Sequence, residues 1–391
     1  LIWGKVPVDR KEIVSFNAVR GIASLAVCVS HLRAFLMVNF PFVDRPSQVD
    51  KLFYFMTGLG HQSVVVFFVM SGWLVGSSVW NQQLIGRFSW SRYAITRLAR
   101  LWVVLIPTLA LTACLDAVGI WSSGGYGYDG SQISRLMSGP SAQLPLNDSA
   151  LTALGNLAFL QTLLVPVYGS NIPLWSLANE FWYYVMFPLF VFAWFKRRSR
   201  VAIGALVPGA LVLVAMPFII SAGFAIWLMG WAGSRAAPRS GAARVLRIVS
   251  ALLLVAGLVA SKTRSLGIIG DFLIGIPVAG LLIGLRVLPD EGPLLRRAGG
   301  LFAYLSHISF TLYLVHFPLL AFVFFSWHLP QQQPTLLVYA EFAALLFAVV
   351  AVASGLWYAF ERNTDAVRRF VYRVCGDSPV AVDQHRSAET G

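Results

Sequence analysis

His31 and His316 lie deep within apolar runs, Arg20 sits near the start of the run that holds His31, and Arg97, Arg100 and Glu180 sit near the ends of others. Ionisable groups are costly in such surroundings, so each marks a candidate functional position. Arg20 and His31 are eleven residues apart. On a helix they differ by about 20° around the axis and stand roughly 16 Å apart along it. Ser24 and Cys28 fall near the same stripe, which predicts one polar seam running from Arg20 to His31. Histidine titrates near neutral pH. It can therefore take a proton from a hydroxyl and return it to a leaving thiolate, so His31 is the candidate general base. The bland alternative is a packing histidine bonded to a neighbouring helix.

Further clusters follow the same logic. Arg87, Arg92, Arg97 and Arg100 stand at the entrance to the third apolar run, and Arg97 and Arg100 share a helix face. Guanidinium forks fit phosphate oxygens, which makes Arg97 and Arg100, with Arg92 beside them, candidate anion contacts. Arg87 reads as a topology signal. Glu180 lies about two turns into another run, in the segment Pro173 to Tyr184 that also holds Trp175. It is placed to pair with a basic group or to orient an acceptor hydroxyl. Tyr313 and His316 share a face; aromatic packing around one satisfied imidazole is the other reading. His61 and Glu341 lie near the outer ends of spans and Asp271 enters one; each lines an acceptor cavity or pairs with a helix end. Gly125 to Gly130 matches G-x-G-x-x-G, but no strand precedes it and no helix pattern follows, so it carries no nucleotide-binding meaning. Cys28, Cys114 and Cys375 are too dispersed for a disulfide framework or a zinc site, and no metal is expected.

The elements that must position these residues are read from composition. Of 391 residues, 57% are apolar, 14% aromatic and only 12% charged, with a mean hydropathy of +0.70. Globular domains carry about 25% charge. An ordinary soluble enzyme, a disordered chain and a fibrous repeat are excluded, which leaves an all-α, polytopic transmembrane helical bundle. About ten spans are long enough to cross. They lie near 14–38, 61–80, 98–118, 174–195, 201–215, 217–234, 246–261, 266–287, 303–327 and 335–360. The net charge of +13 does not signal nucleic acid, because the basic residues cluster between apolar runs, where they set topology. Lys196, Arg197, Arg198 and Arg200 precede the 201–234 stretch, and Arg235, Arg239, Arg244 and Arg247 follow it, so it should cross twice. Both termini are then cytoplasmic. Residues 1–365 read as one membrane domain. Its long outer loop, 119–173, carries an interfacial or re-entrant helix between Ala150 and Pro166, and 366–391 reads as a flexible cytoplasmic tail.

Four segments together resemble the integral-membrane acyltransferase-3 family, whose members include bacterial O-acetylases of surface glycans. They are Phe16 to Ala23 with His31; Phe67-Phe68-Val69-Met70-Ser71-Gly72-Trp73-Leu74; Pro173-Leu174-Trp175-Ser176-Leu177 with Glu180; and Ile308-Ser309-Phe310 to His316-Phe317-Pro318. Tyr358 to Arg362 looks like that family's closing motif, and the likeness covers about residues 14–365. The resemblance implies a membrane O-acyltransferase of the bacterial inner membrane. It would move an acyl group, acetyl before succinyl, from cytoplasmic acyl-CoA to a hydroxyl of a glycan or lipid-linked sugar. His31 would be the catalytic base, and Glu180 would assist. Arg20, Arg97, Arg100 and Arg92 would bind acyl-CoA. Ser71, Tyr313, His316, Trp175, Glu341 and His61 would line the acyl or acceptor site. Acyl-CoA is a donor substrate, and no permanent cofactor is expected. Asn17 stands where the family often has Asp, and Phe181 where a second Glu or Gln is usual. The stretch after Glu361 is too short for the hydrolase-like domain of some members, so a stand-alone transferase is expected. The rival class is a transporter or flippase of a glycan or lipid-linked substrate, in which the polar seam conducts.

Overall fold

The computed structural model describes residues 10–130, 132, 146–196, 204, 217–263, 266–287 and 293–376. The described residues are helical, with no strand and only three isolated bridges. We number the helices α1 (Arg10–Leu36), α2 (Gln48–Thr57), α3 (Gly60–Ser71), α4 (Ser77–Leu84), α5 (Trp90–Ser123), α6 (Ala150–Leu157) and α7 (Leu174–Phe195). Then come α8 (Phe218–Arg235), α9 (Ser240–Thr263), α10 (Gly267–Val287), α11 (Pro293–Ser326), α12 (Leu336–Ala359) and α13 (Thr364–Val374). Among the described residues, 7 helices are long and apolar enough to cross a membrane, and they fall on α1, α2–α4, α5, α9, α10, α11 and α12–α13. α7 and α8 occupy the fourth and sixth expected spans. The fifth, 201–215, lies outside the described residues.

Side-chain contacts give the helices their directions. α1 and α11 run parallel, since Asn17 meets Ser306, Ser24 meets Ser309 and His31 meets His316. α5 runs with them: Arg100 lies over Phe310, and Tyr128, just past its end, meets Phe325. α3 runs the opposite way, with Phe16 against Trp73 just past its end and His31 lining a common space with Gly60 and His61 at its start. α7 and α8 are parallel to each other, because Tyr183 packs on Phe224 and Phe187 packs on both Trp227 and Trp231. The end of α7 and the start of α8 therefore lie on opposite sides of the bundle.

α11 is the most enclosed span, and α9 and α12 are the least. Lipid supplies no hydrophobic drive between helices, so close backbone contact and buried polar bonds must hold them. Gly72 and Gly230 show this between α3 and α8. A Cβ on Gly72 would overlap the Trp227 carbonyl, and one on Gly230 the Val69 carbonyl. The chain passes from α3 to α4 through a π-helical turn, Gly72–Gly76. Such turns recur at functional sites. Two prolines place further bonds. Proline lacks an N–H, so the carbonyl four residues earlier loses its helical partner. Pro188 frees the Tyr184 carbonyl, which accepts from Tyr93 Oη at 2.8 Å; Pro318 frees that of Leu314, which accepts from Asn171 Nδ2 at 2.9 Å.

Two expectations change. Part of the expected flexible tail is the helix α13, whose Tyr372 hydroxyl contacts Thr96 Oγ1 at 2.8 Å and so docks on α5. In the outer loop the helix is short. After α6 the chain turns inward, burying Phe159 at 1% exposure against Phe181.

Candidate active site

Five helices, α1, α3, α5, α7 and α11, surround a cavity of about 200 Å³. Arg20, Arg97 and Arg100 form its basic end. α5 brings two of them because positions three apart share a face. The Arg97 guanidinium lies 5.6 Å from both the Tyr93 and Tyr184 ring centres, and Arg100 lies 5.9 Å from that of Phe310. Among the described residues none of the three forms an ion pair with a carboxylate. Arg97 Nε is buried without a hydrogen-bond partner. Arg20 feels Arg100 as a like charge and Glu361 and Glu180 as opposite ones. Converging guanidiniums with an unused buried donor form a site suited to an anion.

Glu180 faces the same cavity. Its Oε1 accepts from Ser71 Oγ at 2.8 Å and from the Tyr184 hydroxyl one helical turn on. Trp227 Nε1 in turn donates to Ser71 Oγ at 3.1 Å. The carboxylate is therefore held by hydroxyls rather than by an arginine. Phe67 and Phe68, between Ser71 and Val64 on α3, give the cavity an apolar middle, and Leu74, Leu101 and Phe310 add apolar lining beside the arginines. Ser176 and Tyr313 close its far end, with their hydroxyl oxygens 2.5 Å apart.

Beyond Tyr313 lies a second, smaller cavity lined by His31, His61, Trp175, Ile172 and Pro173. Val64 and Tyr313 line both spaces and form the partition between them. His31 Nδ1 is 2.9 Å from His316 Nε2, and His316 Nδ1 donates to the Leu312 carbonyl at 3.0 Å. His61 Nε2 donates to Asp271 Oδ1 at 2.6 Å.

The sequence-predicted residues thus divide. Arg20, Arg97, Arg100, Ser71, Glu180 and Tyr313 line the large cavity, and His31, His61, Trp175 and Tyr313 line the small one. His316 stands behind His31. Arg92 and Glu341 line neither space: the Arg92 carbonyl accepts from Tyr372 Oη, and Glu341 accepts from Gln332 Nε2 at 3.0 Å. The expected seam along α1 is not an open groove. Ser24 donates to the Ser309 carbonyl at 3.3 Å and Cys28 is 0% exposed, so α11 covers that face. The route from Arg20 toward His31 instead passes between α3, α7 and α11. Asn17 accepts from Ser306 Oγ at 3.0 Å and so joins α1 to α11. Tyr184, Ser309 and Phe310 also line the large cavity, beyond the residues that the sequence picks out. Tyr184 was readable, lying one turn from Glu180; the other two have no local signal. Among the described residues no cluster of His, Cys, Asp or Glu could hold a metal ion.

A basic end, an apolar middle and an imidazole pair beyond a tyrosine can bind an anion at one end and accept a proton at the other. No curated protein and no solved structure matches the chain. The family profile described as an acyltransferase domain matches residues 13–358, nearly the whole helical bundle and every lining residue above. That match favours group transfer over transport as the activity of the chain. The chain belongs to the acyltransferase-3 family and is an integral-membrane acyltransferase.

Proposed function

We propose that the protein transfers an acyl group, acetyl before succinyl, from cytoplasmic acyl-CoA to a hydroxyl of a glycan or glycolipid. The observation that carries this reading is the placement of three guanidiniums without carboxylate partners at one end of a cavity whose other end adjoins His31. The CoA phosphates dock on Arg20, Arg97 and Arg100, and the pantetheine arm lies among Phe67, Phe68 and Phe310. The thioester then lies near the Tyr313 partition. The small cavity, about 10 Å³, has room for the acceptor's hydroxyl group alone, which reaches it past Trp175 and His61.

His31 takes the acceptor proton as the hydroxyl oxygen attacks the thioester carbonyl carbon. The C–S bond breaks, the CoA thiolate leaves with the electron pair, and His31 returns the proton to it. Tyr313 and Ser71 are the hydroxyls available to donate to the developing oxyanion. Glu180 orders the Ser71 and Tyr184 hydroxyls beside the arginines.

Topology supports the cytoplasmic placement of the donor. The starts of α1 and α5 and the ends of α4, α8, α10 and α12 share one side of the bundle, and Arg87, Arg92, Arg235, Arg239, Arg286 and Arg362 gather there. By the positive-inside rule this side is cytoplasmic. The opposed directions of neighbouring helices support ten spans with cytoplasmic termini, and the family resemblance supports residence in a bacterial inner membrane.

Purified protein in lipid nanodiscs, titrated with acetyl-CoA and then with succinyl-CoA, tests the proposal. Saturable donor binding with slow release of free CoA thiol is expected. Absence of binding by either donor would overturn it.

A further inference from the structure

We infer that His316 is a positioning residue that fixes the tautomer of His31 and makes Nε2 its basic nitrogen. This rests on His31 being the base, as proposed above. The chain of hydrogen bonds starts from a carbonyl, a group that can only accept. The Leu312 carbonyl lies 3.0 Å from His316 Nδ1, so that nitrogen carries the hydrogen. In a neutral imidazole the other nitrogen is then an acceptor. His316 Nε2 lies 2.9 Å from His31 Nδ1, so His31 Nδ1 must donate. With the hydrogen on Nδ1, the basic lone pair of His31 lies on Nε2.

The opposite arrangement would require a doubly protonated His316. That ring is 0% exposed among Leu312, Phe317 and Tyr313, and Arg33 supplies a positive charge to the same neighbourhood. An unpaired cation there would be strongly disfavoured. Packing holds the pair. The Phe317 ring centre is 5.1 Å from that of His31, edge-on, and Phe35 braces Phe317 from α1.

A second imidazole here does what a carboxylate does in a catalytic triad, without placing a charge in the membrane at rest. When His31 Nε2 takes the acceptor proton, the ring becomes an imidazolium whose Nδ1–H still points at the His316 lone pair. The bond strengthens as the charge develops, and it relaxes when the proton passes to the CoA thiolate. No proton is gained or lost by His316 over the cycle.

The test is solid-state NMR of full-length protein with 15N-labelled histidine in bilayers, using His31→Gln to assign the signals. Protonation of His31 at Nδ1 and not at Nε2 is expected; the reverse would overturn the inference. His316→Gln keeps an oxygen that can accept from His31 Nδ1, so it should preserve the tautomer and most of the turnover. His316→Phe removes the acceptor, and kcat should fall roughly 100-fold with the KM for acyl-CoA unchanged. A His316→Phe enzyme with wild-type kcat would also overturn it. If His316→Phe does not fold, the wild-type spectrum and the glutamine variant still decide. A wild type that binds no acyl-CoA would sink the transferase reading instead, and the spectra would report on the tautomer independently.

Discussion

Replacing Arg97 and Arg100 together by alanine should weaken donor binding far more than it slows chemistry. Both side chains line the basic end of the cavity, and neither is engaged by a carboxylate among the described residues. A hydrogen bond to a charged group contributes about 1.5–3 kcal/mol. The lower value applies because the cavity is partly open, so two losses amount to about 3 kcal/mol. At 1.4 kcal/mol per tenfold, the Kd and KM for acetyl-CoA should rise roughly 100-fold. The kcat at saturating donor should change by no more than about threefold, since the lost contacts are equal in ground and transition states. Release of CoA thiol measures both constants. Acetyl-pantetheine, which lacks the nucleotide phosphates, is the control, and wild type and variant should use it equally. An equal loss on both donors, or a loss confined to acceptor affinity, would refute the phosphate assignment. Arg92→Ala should change the KM by less than about threefold, because its side chain lies outside the cavity lining.

Two further outcomes follow from the fold. Tyr93→Phe and Asn171→Leu each strand a carbonyl freed by proline, and each should destabilise the protein by about 1 kcal/mol in thermal unfolding; an unchanged midpoint would contradict the pairing of Tyr184 and Leu314 with them. Cys375 is exposed at the end of α13, and in a Cys114→Ser background an impermeant maleimide should label it only after the cytoplasmic side is opened. Labelling in intact cells would reverse the assigned topology.

The helices were legible in the sequence because apolar runs of membrane length stand out and charge clusters mark their ends. α7 matches its expected bounds, and α10 lies within a residue of them. α13 was not legible: in eleven residues Asp365, Arg368, Arg369 and Arg373 give a polar average that hides the apolar stripe of Val367, Phe370 and Val374. The site was legible by residue type but not by partner. Helical spacing placed Arg20, Ser24 and His31 on one stripe, yet only the position of α11 shows that Ser24 is spent on the Ser309 carbonyl. His31 and His316 are separated by 285 residues, so no local rule could join them. Ser71 was singled out from its motif, whereas its bond to Glu180 depends on how α3 crosses α7.

If His31 is the base of a CoA-dependent transfer, His31→Ala in nanodiscs should separate donor binding from turnover. Acetyl-CoA titration and acceptor-dependent CoA release should be measured on the same preparation of wild type and variant. A donor Kd within about twofold of wild type is expected, with turnover reduced at least roughly 100-fold. A variant that binds acetyl-CoA and turns over at the wild-type rate would contradict that role for His31.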